Sequence, residues 1–382
     1  MIPFHAPSVG EEEIAEVVDT LRSGWLTTGH RVQRFETEFA AAVGARHAVA
    51  LNSATAALHL ALEAIGLRSG DEVVIPTYTF AATGEVVAYF QARPVLVDCR
   101  ADTLNIDAAT IEPFITPRTK AIIPVHIAGQ ACDMDGIWAL ARQRRLKVIE
   151  DAAHALPTTY RGRLIGTGSD AVAFSFYATK TITTGEGGMV TVDDDALAAR
   201  IRMMSLHGLS HDAWNRYAVG GSWHYDIVEF GFKYNLTDLA AGLGLCQPKR
   251  IHEFLARRAQ IATMYHQAFG GLETCTVPEV ASYGGHAWHL YVLRLNLPAL
   301  RVGRDDVIRA LRERGIGTSV HFRPLHLHSV YQQRLGYRPG DFPVAEREYE
   351  RAISLPIYPG MRDEDVAVVS NAVVDVLTAF RK

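Results

Sequence analysis

KVIEDAAHALP (residues 147–157) and AVAFSFYATKTITTGEGGMVTV (residues 171–192) hold three short apolar runs, KVIED, AVAFSF and GMVTV. The runs are continuous rather than alternating. That is the pattern of strands covered on both faces. Working outward, the same kind of run recurs as HAVAL (47–51), EVVIP (72–76), RPVLV (93–97) and AIIPV (121–125). Helical periodicity separates them. EEEIAEVVDTLR (11–22) opens on an acidic first turn, and residues 31–43 repeat the pattern. This alternation predicts an α/β fold with a mostly parallel central sheet, which places ligands in the loops after the C-terminal ends of strands. Residues 237–266 read as one long helix or a helix pair, with a kink expected at Pro248. Beyond about residue 270 the elements thin out: HLYVLRL (289–295), a helix near 304–314 and ISLPI (353–357). They predict a smaller C-terminal α+β domain. The expected division is residues 1–250 and 251–382.

Chemistry concentrates at the ends of the predicted strands. Lys180 follows the AVAFSF run in a loop of small residues, TKTITTGEGG. An amine there can be desolvated and approached closely, as a Schiff-base lysine requires; a surface lysine in a turn is the plainer reading. The cation usage adds weight: of 38 Lys and Arg residues only six are lysines. Asp151 ends the KVIED run, where a carboxylate is costly unless paired. It can hold a protonated pyridine nitrogen or simply cap a helix. Ala152 and Ala153 leave room for a flat ring, and His154 could reach a phenolic oxygen. LNSATAALHLAL (51–62) puts Ser53 and Thr55 at a helix N-terminus, suited to a phosphate or to ordinary capping. Phe80, after EVVIP, could stack on a planar group or pack in the core.

The composition bounds the rest. The chain has 382 residues, 48% hydrophobic and 21% charged, enough for two domains with sizeable cores. Its net charge is −4, and no Lys/Arg block exceeds two residues. Nucleic acid and anionic membrane are therefore not expected partners. No apolar run reaches the ~18 residues of a bilayer span. The start, MIPFHAPSVGEEE, lacks the pattern of a signal peptide. Cys99, Cys132, Cys246 and Cys275 are far apart and read as buried thiols in a reducing cytoplasm. No metal site is expected.

The phosphate cup, aromatic, acid and lysine occur together, each at the end of a strand. On these segments the chain resembles the DegT/StrS-type nucleotide-sugar aminotransferases. These are fold-type-I pyridoxal 5'-phosphate (PLP) enzymes with the architecture of aspartate aminotransferase. The resemblance extends through SGWLTTGHRVQRFETEFA (23–40), GDEVVIPTYTFAAT (70–83), TKAIIPVHIAG (119–129), GFKYNLTDLAAGLGL (231–245), GIGTSVHFRPLH (315–326) and FPVAEREYERAISLPIYPGM (342–361). It implies that Lys180 carries the Schiff base and shuttles the proton, while Asp151 binds the pyridine nitrogen. His154 would lie by the phenolic oxygen, Phe80 would stack on the ring, and Ser53, Ala54, Thr55 and Ser175 would hold the phosphate. GFKYN would arrive from a neighbouring subunit of a homodimer with shared sites, bringing Lys233 or Asn235 to that phosphate. Trp25, Thr27, Tyr78 and His321 would lie near the sugar. The implied reaction moves an amino group from L-glutamate to a keto group, at carbon 4, of a nucleotide-linked deoxyhexose. Two alternatives share the fold: a sugar dehydratase, in which His replaces the lysine, and a non-catalytic sensor.

Overall fold

The computed structural model describes residues 1–209 and 225–382. Its centre is a seven-stranded sheet. The strands are β1 (His47–Leu51), β2 (Glu72–Pro76), β3 (Arg93–Val97), β4 (Thr119–Ile122), β5 (Lys147–Asp151), β6 (Ala171–Ser175) and β7 (Gly188–Val192). They lie in the order β1-β7-β6-β5-β4-β2-β3. Every pairing is parallel except those of β7, which runs antiparallel to both β1 and β6. The reversal follows from the connection: no helix forms between Ser175 and Gly188, so the chain turns back instead of crossing over.

Side-chain alternation along β1 shows how the sheet is covered. Val49 and Leu51 join one apolar layer, with Leu58 and Leu62 of helix Ala54–Ala64. Ala48 and Ala50 join the other, with Phe35 and Phe39 of helix His30–Val43. Each of the buried Val, Leu and Phe side chains contributes about 1.5–3 kcal/mol. The two layers hold the strand ends in fixed relation, and the site is built on those ends.

The region expected as one long helix or a pair is three elements. Helix Asp238–Cys246 ends at a 3-10 turn, Gln247–Arg250, and helix Ile251–Phe269 follows. Pro248 sits in the turn and cannot supply the amide a continuous helix needs. Residue 250 ends that turn, and the helix after it serves two cores. Ile251 and Phe254 pack under the large sheet, whereas Ile261, Tyr265 and Phe269 join the C-terminal cluster. That cluster covers a small antiparallel sheet of β8 (Cys275–Thr276), β9 (Tyr291–Leu295) and β10 (Ala352–Leu355).

Candidate active site

The C-terminal ends of β1, β2, β5 and β6 open onto one cavity of about 350 Å³. Ser53, Ala54, Thr55, Phe80, Asp151, His154, Ser175, Lys180 and His321 all line it. Ser53 and Lys180, 127 positions apart, thus meet because parallel strands of one sheet deliver their ends to the same edge.

At one end is the start of helix Ala54–Ala64. Ser53 is its N-cap and accepts from the Ala56 amide at 3.1 Å. The amides of Ala54 and Thr55 precede any intrahelical acceptor and are free for an anion. β7 approaches this turn closely. A Cβ on Gly188 would stand 2.4 Å from the Ser53 carbonyl carbon, so only glycine fits.

At the other end is Asp151. No helix follows it, so its carboxylate is not a helix cap. One oxygen accepts from Thr83 Oγ1 at 2.9 Å, the other from the Ala153 amide at 3.1 Å. Burial nevertheless pushes its pKa up, against those two hydrogen bonds and the Lys180 charge. A protonated ring nitrogen placed there would supply the missing counter-charge. Lys180 lies in the turn after β6, and burial lowers its amine to about 8. Between these groups Phe80 lines the cavity with 61% of its surface open, so a face remains for a flat ring. A planar group carrying a phosphate and a basic ring nitrogen fits this set.

The wall opposite combines His154 with His289, His321 and Phe322 from the last third of the chain. His154 is buried, its ring stacked on Phe322 (5.7 Å, 18°) and 4.5 Å from the ring of His289. His321 Nδ1 pairs with Ser354 Oγ at 2.8 Å, and burial takes its pKa down to about 4. Outside the cavity, His5 Nε2 meets the carbonyl of Ala178 at 3.1 Å, bracing the lysine loop.

Five of the expected residues lie elsewhere. Tyr78 is fully buried and donates to the His321 carbonyl at 2.8 Å, touching the site only through that residue. Trp25 donates through Nε1 to the Thr28 carbonyl, and the Thr27 carbonyl accepts from the Asp238 amide. Neither lines the cavity. Lys233 Nζ meets Asn235 Oδ1, and Asn235 Nδ2 donates to Thr28 Oγ1 at 2.6 Å. Their segment runs beside β1 of its own chain, where the Asn52 amide donates to the Tyr234 carbonyl at 2.7 Å. It stays outside the cavity. Conversely, sequence reading passed over Thr83, Tyr177, Thr179, Glu186, His289 and Phe322. Tyr177, Thr179 and Glu186 flank Lys180 closely enough to have been included. Thr83, His289 and Phe322 carry no local signal.

The comparisons agree with this geometry. The pattern that defines the DegT/DnrJ/EryC1/StrS aminotransferase family matches residues 7–374. The chain is 52% identical over 377 residues to the spore coat polysaccharide biosynthesis protein SpsC of Bacillus subtilis, covering 98% of this chain and 97% of that one. Among solved structures it superposes on Spr1654 of Streptococcus pneumoniae, described as a sugar aminotransferase and solved in PMP and PLP forms. For the PMP form the TM-score is 0.93 at 35% identity, covering 99% of this chain and 100% of that one. It superposes equally on Helicobacter pylori PseC, an aminotransferase involved in the biosynthesis of pseudoaminic acid. There the TM-score is 0.93 at 27% identity, with the same coverage. A match over nearly its whole length, with a lysine, an acid and an open helix start in one cavity, makes this chain a member of the DegT/DnrJ/EryC1/StrS aminotransferase family.

Proposed function

We propose that this PLP-dependent sugar aminotransferase moves an amino group from L-glutamate to the carbon 4 keto group of a nucleotide-linked deoxyhexose. The observation that carries the reading is the convergence of Lys180, Asp151 and the Ser53 helix start on one cavity. On this reading the amides of Ala54 and Thr55, with Ser53, Thr55 and Ser175, hold the cofactor phosphate. Asp151 holds the ring nitrogen, Phe80 covers one ring face, His154 serves the ring oxygen, and Lys180 attaches the aldehyde carbon. PLP supplies the electron sink that makes the proton on an amino-bearing carbon removable. Lys180 then takes that proton and returns it to the neighbouring carbon, a task suited to an amine brought near neutrality by burial. Thr83 and the Ala153 amide keep Asp151 oriented throughout. The two substrates use the cavity in turn.

The nucleotide carrier, the ring carbon and glutamate rest on the resemblance of GFKYNLTD, VHFRPLH and the FPVAE…ISLP ending to enzymes of that specificity. The homodimer, in which Lys233 or Asn235 reaches the partner's phosphate site, rests on the same family resemblance, and the cytoplasmic location on four separated cysteines that are buried and free. A lysine at position 180 speaks against the dehydratase alternative, and an intact acid and phosphate cup speak against a sensor. The test loads the enzyme with PLP and supplies L-glutamate with UDP-, dTDP- and GDP-linked 3-keto and 4-keto deoxyhexoses. Release of 2-oxoglutarate with a UDP-linked 4-keto sugar, and its amine by mass spectrometry, is expected. Turnover confined to a 3-keto sugar or another carrier would replace the specificity. No turnover with any would overturn the function.

A further inference from the structure

The inner wall of the cavity carries a residue that the mechanism above leaves unused. His289 lines the cavity beside His154 and is buried. Its Nδ1 is sealed from solvent with no hydrogen-bond partner, as is that of His154. A neutral imidazole has one N–H and one bare nitrogen. A buried orphan N–H is costlier than a buried orphan acceptor, so the proton belongs on Nε2, the nitrogen left to the cavity. Burial, followed by the His154, Lys180, Arg258 and His321 charges, holds the ring well below its usual pKa. It is therefore a neutral donor rather than a cation.

The backbone that aims this ring is held under constraint. Trp288, the residue before it, has φ +48°, a left-handed conformation that a bulky residue adopts only when its surroundings impose it. Arg258 imposes it. This fully buried guanidinium donates through Nη1 to the carbonyls of Trp288 (3.1 Å), His289 (3.4 Å) and Ile357 (2.7 Å). Its Nε and Nη2 have no partner, and among the described residues no carboxylate pairs with it. Its positive charge sits behind the His289 wall uncompensated. Among the described residues Lys180 is the one cation that lines the cavity, and no arginine does. A small anion against His289 would meet a fixed donor and a compensating field. A keto sugar ring has no charge to offer there, and a nucleotide diphosphate is too large for a wall this deep in a cavity of about 350 Å³ that also houses the cofactor.

We propose that His289 is the residue that binds the carboxylate of the amino donor, through Nε2–H, with Arg258 as the positioning residue that fixes the 288–289 turn. The proposal rests on the aminotransferase reading. Two halves of the reaction separate its test. His289→Leu and His289→Asn remove the donor at the Nε2 position, whereas His289→Gln restores one. In the PLP-loaded protein, the L-glutamate half-reaction should show a KM raised roughly tenfold or more in the Leu and Asn variants, the scale of a hydrogen bond lost to a charged group. The Gln variant should stay within about threefold of wild type, and the amino-sugar half-reaction, run from the sugar side, should keep its KM in all three. Independently, ¹⁵N NMR of the cofactor-free full chain should show His289 as the Nε2–H tautomer, and glutarate should bind wild type more tightly than the Leu variant. An unchanged glutamate KM in both the Leu and Asn variants, equal losses in both half-reactions, or an Nδ1–H tautomer would overturn the proposal while leaving the aminotransferase reading intact. Wild-type protein that transfers no amino group from any 2-amino acid would overturn that reading itself.

Discussion

His126 and His154 flank the C-terminal end of β5, and they differ in one respect that separates scaffold from site. His126 is fully buried and has both ring nitrogens engaged. Nε2 meets Glu150 Oε2 at 2.8 Å, and Nδ1 accepts from the Cys132 amide at 3.1 Å. The network continues from Glu150 through Ser169 to Trp138. His154 is also buried, yet it lines the cavity and its Nδ1 has no partner. The cause is the pleat. Glu150 and Asp151 are consecutive on β5 and point to opposite faces. Glu150's face is closed by a completed network, and Asp151's face opens onto the cavity. A buried ring that lacks a partner and borders a cavity marks the open face, where its other nitrogen is left for a ligand.

The comparison breaks first at Lys180. Lys180→Ala should abolish the visible absorbance of the PLP-loaded protein and lower turnover by about three powers of ten or more, because attachment and proton transfer are lost together. Borohydride trapping with peptide mapping should label this lysine; a label on another would end the assignment.

Asp151→Asn removes the charge but keeps the shape. It should leave the fold intact and reduce the catalytic rate by roughly 10- to 100-fold, the effect of about 1.5–3 kcal/mol from a lost charge-assisted hydrogen bond. Stopped-flow kinetics with L-glutamate measures it. Wild-type rates would mean that Asp151 serves only its own turn.

A third expectation concerns pH. The Lys180 amine, lowered by burial to about 8, must be neutral to react. The rate at which cofactor-free protein captures PLP should therefore fall about tenfold per pH unit below 8 and level off above it. An ordinary lysine would keep rising towards its usual value of 10.5. The same shift has a stability consequence. Between about 8 and 10.5 the unfolded lysine holds a proton that the folded one has released, so the cofactor-free fold gains stability as pH rises through that window. Rates and melting temperatures of Lys180→Met provide the control.

The smallest effect on chemistry is expected on the closed face. Glu150→Ala strands the donors of His126 and Ser169 and should cost about 1–3 kcal/mol for each. Once folded, it should turn over at the wild-type rate. Denaturant titration alongside kinetics tests both halves; a large loss in kcat would erase the distinction between the two faces.

Sequence alone determined the strands and pointed to the cavity residues that sit at their ends. HAVAL, EVVIP, RPVLV, KVIED and GMVTV are strands residue for residue, because a strand buried on both faces must be apolar throughout. AIIPV is shorter than expected and ends at Ile122, since Pro124 has no amide for the ladder. Ser53, Asp151 and Lys180 were legible because each ends such a run or lies within a few residues of its end, and a sheet delivers its strand ends to one edge. The reversed direction of β7 was not legible, because the turn it depends on carries no apolar pattern. The burial of Tyr78 was equally hidden: in sequence it sits two residues from the exposed Phe80. Above all, only tertiary structure brought His289, His321 and Phe322 against His154. They come from segments more than 130 residues further along the chain, and no local periodicity encodes which of their side chains will face the sheet's edge. Nor can a sequence show that Nδ1 of His289 is left without a partner, since that depends on every group that could have reached it and does not.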